Sequence, residues 1–188
     1  MTTKPTFFAE RMASLALSHA EHPALIDRHV TTTFSQLNQH ARQLAGNLAK
    51  LGVVAGDRVA IWAPNIHEWI LAACGVHAAG AVLLPLNTRL KGAETADILA
   101  RSRACLLFAI GDFLGQYYPA QLDGLRPAAL RQVVLVRGAV DPAHAQAGDM
   151  DWAQFLAHAD SVDPLRVAER EAALHADSVS DLMFTSGT

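Results

Sequence analysis

Gly56-Asp57-Arg58-Val59-Ala60-Ile61-Trp62-Ala63-Pro64-Asn65 runs on through Ile66 to Ala79 and into Gly80-Ala81-Val82-Leu83-Leu84-Pro85-Leu86-Asn87. The Gly-Asp pair turns the chain into Arg58 to Ala63, whose unbroken Val-Ala-Ile-Trp core reads as a strand buried on both faces. Pro64-Asn65 opens a helix to about Ala79, with Asn65 as its expected cap and Gly80 as its stop. Ala81 to Leu84 is a second buried strand. Buried strand, helix, buried strand is the signature of neighbouring parallel strands joined by a crossover.

The same alternation extends in both directions. Upstream, a helix is expected from about Thr6 to Ala20. A hairpin of Ala24 to Asp27 and Val30 to Thr33 then turns at Arg28-His29. Thr33 and Gln36 stand at reciprocal capping-box spacing. Behind them Phe34, Leu37, Ala41, Leu44, Ala45, Leu48 and Leu51 repeat at helical spacing. Gly52 follows where a left-handed cap belongs. Downstream, the spacing predicts a helix over Leu90 to Ser102, a strand over Cys105 to Ile110, a helix over Phe113 to Leu125 and a strand over Gln132 to Val136. Gly138 to Asp149, rich in Ala, Gly, Pro and Asp, reads as a surface loop. Trp152 to Ala159 reads as a short helix, Pro164 to Leu174 as a polar stretch, and Val179 to Phe184 as a last strand. No internal repeat is visible. The fold class is α/β, a parallel-rich sheet with flanking helices on both faces.

Bulk properties fit one sizeable domain. At 188 residues, 51% hydrophobic and 18% charged, the chain can bury a core without a disulfide or metal staple. A formal charge of −3 and scattered Lys and Arg give no footprint for nucleic acid or an anionic membrane. Cys74 and Cys105 each lie in an apolar stretch and read as buried, reduced thiols. Glu10 and Arg11 interrupt the apolar N-terminus, so no signal-peptide core forms. Gly75, His77, Gly80 and Pro85 break the Ile70–Leu86 run, which excludes a transmembrane reading. A cytoplasmic location is expected.

The chemistry gathers where the last strand meets Thr185-Ser186-Gly187-Thr188. Hydroxyls and backbone N–H groups around a glycine can cradle a phosphate, although the same four residues also make ordinary turns. No Gly-Lys-Ser/Thr of a Walker loop is present. Phe184 occupies the first glycine position of a hydrolase nucleophile elbow, which excludes that motif too. Asn87 and Arg89 follow a buried strand at its carboxyl end, the side where ligands collect in such sheets. The charges of Gly56-Asp57-Arg58 are expected to face solvent in a tight turn. Trp62, Trp69 and Trp152 read as packing rather than ligand stacking. His19 and His22 lack a carboxylate or cysteine to complete a metal cage, and Leu71 stands where H-E-x-x-H would need its second histidine after His67-Glu68. No catalytic residue and no metal ligand is assigned.

Asp181-Leu-Met-Phe-Thr-Ser-Gly-Thr188 resembles the opening of the T-S-G-T-T-G-x-P-K-G phosphate loop of the adenylate-forming (AMP-dependent synthetase/ligase) superfamily. Gly56-Asp-Arg-Val-Ala-Ile, Pro64-Asn65, Glu68-Trp69, Gly80-Ala-Val and Pro85-Leu-Asn87 with Arg89 are similar, in order, to a long stretch of its acyl-CoA synthetases. Thr33-Phe34-Ser35-Gln36-Leu37 is similar to their T-Y-x-E-L helix start. Within the superfamily, Asn87 to Leu90, Glu94 to Leu99 and Leu107 to Gly115 look most like bacterial acyl-CoA ligases, in particular actinobacterial enzymes for propionate side chains of steroid-ring fragments. The resemblance implies a partial AMP-binding N-terminal domain over residues 1–188, with the C-terminal remainder outside the chain. It implies ATP, Mg²⁺, CoA and a carboxylic acid as partners, with a homo-oligomer left open, in fatty-acid and lipid metabolism. It implies that Thr185, Ser186, Gly187 and Thr188 hold ATP phosphates and that Arg89 reaches CoA. The loop lysine and later motifs of the family do not occur in these residues, so the chain alone is expected to be inactive. Two other classes compete. One is an interaction or regulatory module that kept the fold without the chemistry. The other is a dinucleotide binder, against which no G-x-G-x-x-G follows any strand.

Overall fold

The computed structural model describes residues 8–28, 30–157, 175 and 177–185. Outside them lie His29, the proposed start of the first helix, the end of the Trp152 helix, the Pro164 to Leu174 stretch and Ser186 to Thr188.

After α1 (Phe8–Ser18), β1 (Pro23–Asp27) and β2 (Val30–Thr33) form the expected antiparallel hairpin. The hairpin runs directly into α2 (Phe34–Lys50), which begins as the capping box requires. The Gln36 N–H donates to Thr33 Oγ1 at 3.3 Å, and the Thr33 N–H donates back to Gln36 Oε1 at 2.9 Å. Gly52, at φ +77°, ends it in the left-handed region.

Five parallel strands follow: β3 (Arg58–Trp62), β4 (Val82–Pro85), β5 (Leu106–Ile110), and, beyond the short hairpin β6 (Asp112–Phe113) and β7 (Gln116–Tyr117), β8 (Gln132–Arg137) and β9 (Met150–Asp151). The sheet order is β4-β3-β5-β8-β9, and every pairing in it is parallel. Direction reverses once, because β4 lies on one side of β3 and all later strands on the other. With right-handed crossovers, that reversal places α3 (His67–Ala78) and α4 (Gly92–Ser102) on opposite faces. Accordingly α2, α3 and α5 (Trp152–Ala157) form one layer, while α4 packs with a 3-10 turn at Pro119–Leu122. Ile61, Trp62, Leu106, Leu107 and Phe108 are all but fully buried between the layers. Gly75 lets α2 and α3 meet: a Cβ there would stand 2.5 Å from Leu44 Cβ.

Several expectations need correction. Phe113 to Leu125 is not a helix. Leu114 and Gly115 take φ of +52° and +75°, a turn that reverses the chain into the β6–β7 hairpin, and Pro119 then starts only a 3-10 turn. Asn65 does not cap α3; the N-cap is Ile66, which contributes no side-chain bond. The charges of Asp57 and Arg58 do not simply face solvent. Arg58 Nε donates to Ser102 O at 2.7 Å and Nη2 to Arg103 O at 3.2 Å, satisfying carbonyls at the end of α4. Asp57 Oδ2 accepts from Val54 N at 3.1 Å. The Gly138–Asp149 loop ends in β9, which periodicity could not reveal in two residues. Val179 to Phe184 makes one parallel bridge, Leu83 to Asp181, rather than a full strand.

Candidate functional site

Ligands in open parallel sheets collect at the carboxyl ends of strands, near the point of reversal. Here that end divides into a filled part and an open part. Arg137, the last residue of β8, reaches Glu68 in the first turn of α3 through Nε–Oε1 at 3.0 Å and Nη2–Oε2 at 2.7 Å. Asp27 Oδ2 lies 3.5 Å from the same Nη2. Hydrogen bonding to Glu68, with the Asp27 charge beside it, pushes the Arg137 guanidinium above its ordinary pKa. Asp27 Oδ2 also accepts the His67 N–H at 3.1 Å and so supplies the cap that Asn65 does not. Thr32 Oγ1 and His67 Nε2 share a further 2.8 Å hydrogen bond. The β1–β2 hairpin is thereby tied across the ends of the central strands.

The open part lies at the β4 edge. Asn87 to Arg89 are fixed through their backbone. Trp62 Nε1 donates to Asn87 O at 3.2 Å, Tyr118 Oη to Thr88 O at 2.8 Å, and Arg89 N to Asn87 Oδ1 at 2.9 Å. The Trp62 and Tyr118 rings pack with centroids 4.7 Å apart. Trp62 is therefore core, as expected, with its N–H spent on shaping this turn. The Arg89 side chain is exposed and forms no ion pair among the described residues.

Residues 177–185 run beside β4 in the same direction. Leu83 N donates to Ser180 O at 2.8 Å, and Leu182 N donates to Leu83 O at 2.9 Å. Phe184 packs against the core with the Arg101 guanidinium 5.0 Å from its ring centroid. Thr185 stands four residues past Asp181, as Asn87 stands four past Leu83. Thr185 and Arg89 thus both leave the sheet at the carboxyl end of one edge. Ser186, Gly187 and Thr188 lie outside the described residues. Tyr118, Arg101 and Asp181 also shape this end. Tyr118 lies inside an expected helix and Arg101 carries no local signal, whereas Asp181 opens the stretch that resembles the phosphate loop.

Among the described residues no group of three or more His, Cys, Asp or Glu side chains is arranged to hold a metal ion. Cys74 and Cys105 are buried free thiols. No helix of the described residues is long and apolar enough to cross a membrane.

A parallel sheet that reverses direction once, with helices on both faces and the 177–185 segment bridged to one edge, is an open α/β architecture of the ligand-binding kind. The chain belongs to the AMP-binding enzyme family, whose profile matches residues 13–188. It is 39% identical over 189 residues to a 3-(7a-methyl-1,5-dioxo-octahydro-1H-inden-4-yl)propanoyl:CoA ligase of Rhodococcus jostii, covering 100% of this chain and 36% of that protein. It is 44% identical over 171 residues to the ligase of the same name from Mycobacterium tuberculosis, covering 89% of this chain and 32% of that protein. Among solved structures, coronafacic acid ligase from Pectobacterium brasiliense superposes with a TM-score of 0.76 at 16% identity, over 95% of this chain and 33% of that one. The chain spans about a third of the length of the curated relatives it matches.

Proposed function

We propose that this chain supplies the front part of an ATP-dependent acid–thiol ligase that makes acyl-CoA thioesters. The observation that carries the reading is 39% identity along the whole chain to a protein named as a CoA ligase. A carboxylate is a poor electrophile, and oxide is a poor leaving group. The substrate's carboxylate oxygen attacks the α-phosphorus of ATP, which forms the acyl–phosphate bond and expels pyrophosphate. The CoA sulfur then attacks the acyl carbon and AMP departs. Positioning and charge neutralisation supply much of the rate enhancement in such steps.

In this reading Thr185, with Ser186, Gly187 and Thr188, begins the loop that holds the ATP phosphates. Hydroxyl and backbone N–H donors suit anionic oxygens, and the end of a parallel strand is where they would be needed. Arg89, exposed on a pinned turn, is the candidate for a CoA phosphate. Mg²⁺ commonly binds through phosphate oxygens and one or two carboxylates, so it does not require a cage of three side chains here. The two ligases from Rhodococcus and Mycobacterium point to a bicyclic dione propanoate as the acid, and a cytoplasmic setting fits such water-borne substrates.

The test is the protein from the whole reading frame that carries this chain, supplied with ATP, CoA and that propanoate. Thioester formation with equimolar AMP is expected. No AMP release with any acid of a broad panel would overturn the proposal. The 188-residue chain assayed alone is expected to show no turnover, since it spans about a third of its relatives.

A further inference from the structure

The segment that carries Thr185 is held to the sheet by few backbone bonds. Only Leu83 N–Ser180 O and Leu182 N–Leu83 O join it to β4 among the described residues. A side-chain contact stands between these two bonds. His77, in the last turn of α3, brings Nε2 to 3.5 Å from Asp181 Oδ1, and Asp181 is the residue bridged to Leu83. The imidazole is 13% exposed and the carboxylate 34%. The contact is one of charge rather than a formed hydrogen bond, and neither ring nitrogen has a hydrogen-bond partner among the described residues. The ring also meets Phe8 of α1 edge-on, with centroids 4.8 Å apart.

The surroundings leave the pair alone with each other. From α1 the neighbours are Phe8 and Ala9; from the turn into β4 they are Gly80 and Ala81. The 175–180 segment adds His175 and Ser178 to the lining of the cavity. Among the described residues Asp181 is the one charged group whose field acts on His77, and the Ser180 backbone adds a hydrogen-bonding contribution. A charge in a mostly desolvated place acts more strongly on its neighbour than one in water, whichever form the neighbour takes.

We propose that His77 is a positioning residue for the candidate phosphate loop: it grips Asp181, keeps 180–182 on β4, and so fixes where Thr185 leaves the sheet. Its functional meaning rests on the phosphate-loop reading; the grip itself does not. The competing description is space-filling, in which His77 merely packs against Phe8. The two differ in whether His77 responds to Asp181.

Burial and Asp181 act on the ring in opposite senses. Burial, the larger effect, favours the neutral imidazole, and Asp181 favours the charged one. Replacing Asp181 with Asn removes the second effect and leaves the first. The His77 titration should then move to lower pH. A space-filling ring would titrate unchanged.

The experiment uses the 188-residue chain without nucleotide, as wild type, Asp181→Asn and His77→Leu. Amide exchange and the His77 ring signals are followed by NMR. The Leu182 and Leu83 amides should exchange about tenfold faster or more in both variants, as expected for local rather than global opening. The Leu86 amide, bonded to Ile61 O at 2.9 Å within the main sheet, should keep its wild-type rate and reports that each variant is folded. Leu182 exchange within twofold of wild type in both variants, or a His77 titration unmoved by Asp181→Asn, overturns the proposal. Should the grip hold while a non-hydrolysable ATP analogue leaves the Thr185 signals of the full-length protein untouched, the phosphate reading fails and the positioning role with it.

Discussion

Arg126 and Asp149 are each 7% exposed and meet in a fork of 2.7 and 2.9 Å. Asp149 also accepts the Val133 N–H at 2.7 Å and the Gln146 N–H at 2.9 Å, so one carboxylate fastens the start of β8 to the 138–149 loop. Asp149→Ala would strip a buried guanidinium of its carboxylate, leaving it only the Nε–Leu130 O bond at 3.3 Å, and would take this acceptor from two backbone donors. Removing one member of a buried pair typically costs about 3–5 kcal/mol. A urea midpoint falling accordingly at constant m checks this. A second expectation concerns acid. His40 is held below the ordinary histidine pKa by burial and the neighbouring His67, and His77 by burial against the opposing pull of Asp181. The unfolded chain therefore binds protons that the folded one resists. Stability should be complete above about pH 6.5 and decline below it. Thermal melts from pH 5 to 8 would show the slope, and a His40→Gln, His77→Gln double variant should flatten it.

At the scale of elements, the close approach of α2 and α3 makes Gly75 exacting. Ala is the better helix former by about 1 kcal/mol, but its Cβ would meet Leu44 Cβ at 2.5 Å. Neither atom can rotate away. Overpacking of this kind costs about 1–3 kcal/mol, so Gly75→Ala should destabilise on balance. Leu44→Ala, which keeps its Cβ, should fail to rescue it in chemical denaturation. The β3–α3–β4 unit was legible in sequence because both strands are unbroken apolar runs with a glycine at each turn. The placement of Arg89 was legible for the same reason, since it follows β4, whereas the stretch before Thr185 is broken by Ser180 and Asp181 and makes only the Leu83–Asp181 bridge. Phe113 to Leu125 was not, because Leu114 takes a conformation that only the β6–β7 turn makes worthwhile. Nor was the Glu68–Arg137 contact, whose members are 69 residues apart and share no local pattern.

At the scale of the molecule, the outer side of the 177–185 segment remains apolar and open. Val179 is 65% exposed and Met183 70%, on a stretch whose backbone pairs, among the described residues, with β4 alone. Such surfaces favour association. Val179→Lys with Met183→Lys should reduce self-association of the 188-residue chain by light scattering while leaving its melting temperature nearly unchanged. The bridge between Leu83 and Asp181 also has a meaning in time. A ribosome adding about 5–20 residues per second makes Asp181 several seconds or more after its partner. During that interval β3 is available to flank β4 on one side, while its neighbour on the other side has yet to be made. The nascent chain can thus complete its sheet first and receive the Thr185 segment afterwards, so the part nearest the proposed chemistry joins a scaffold that has already set.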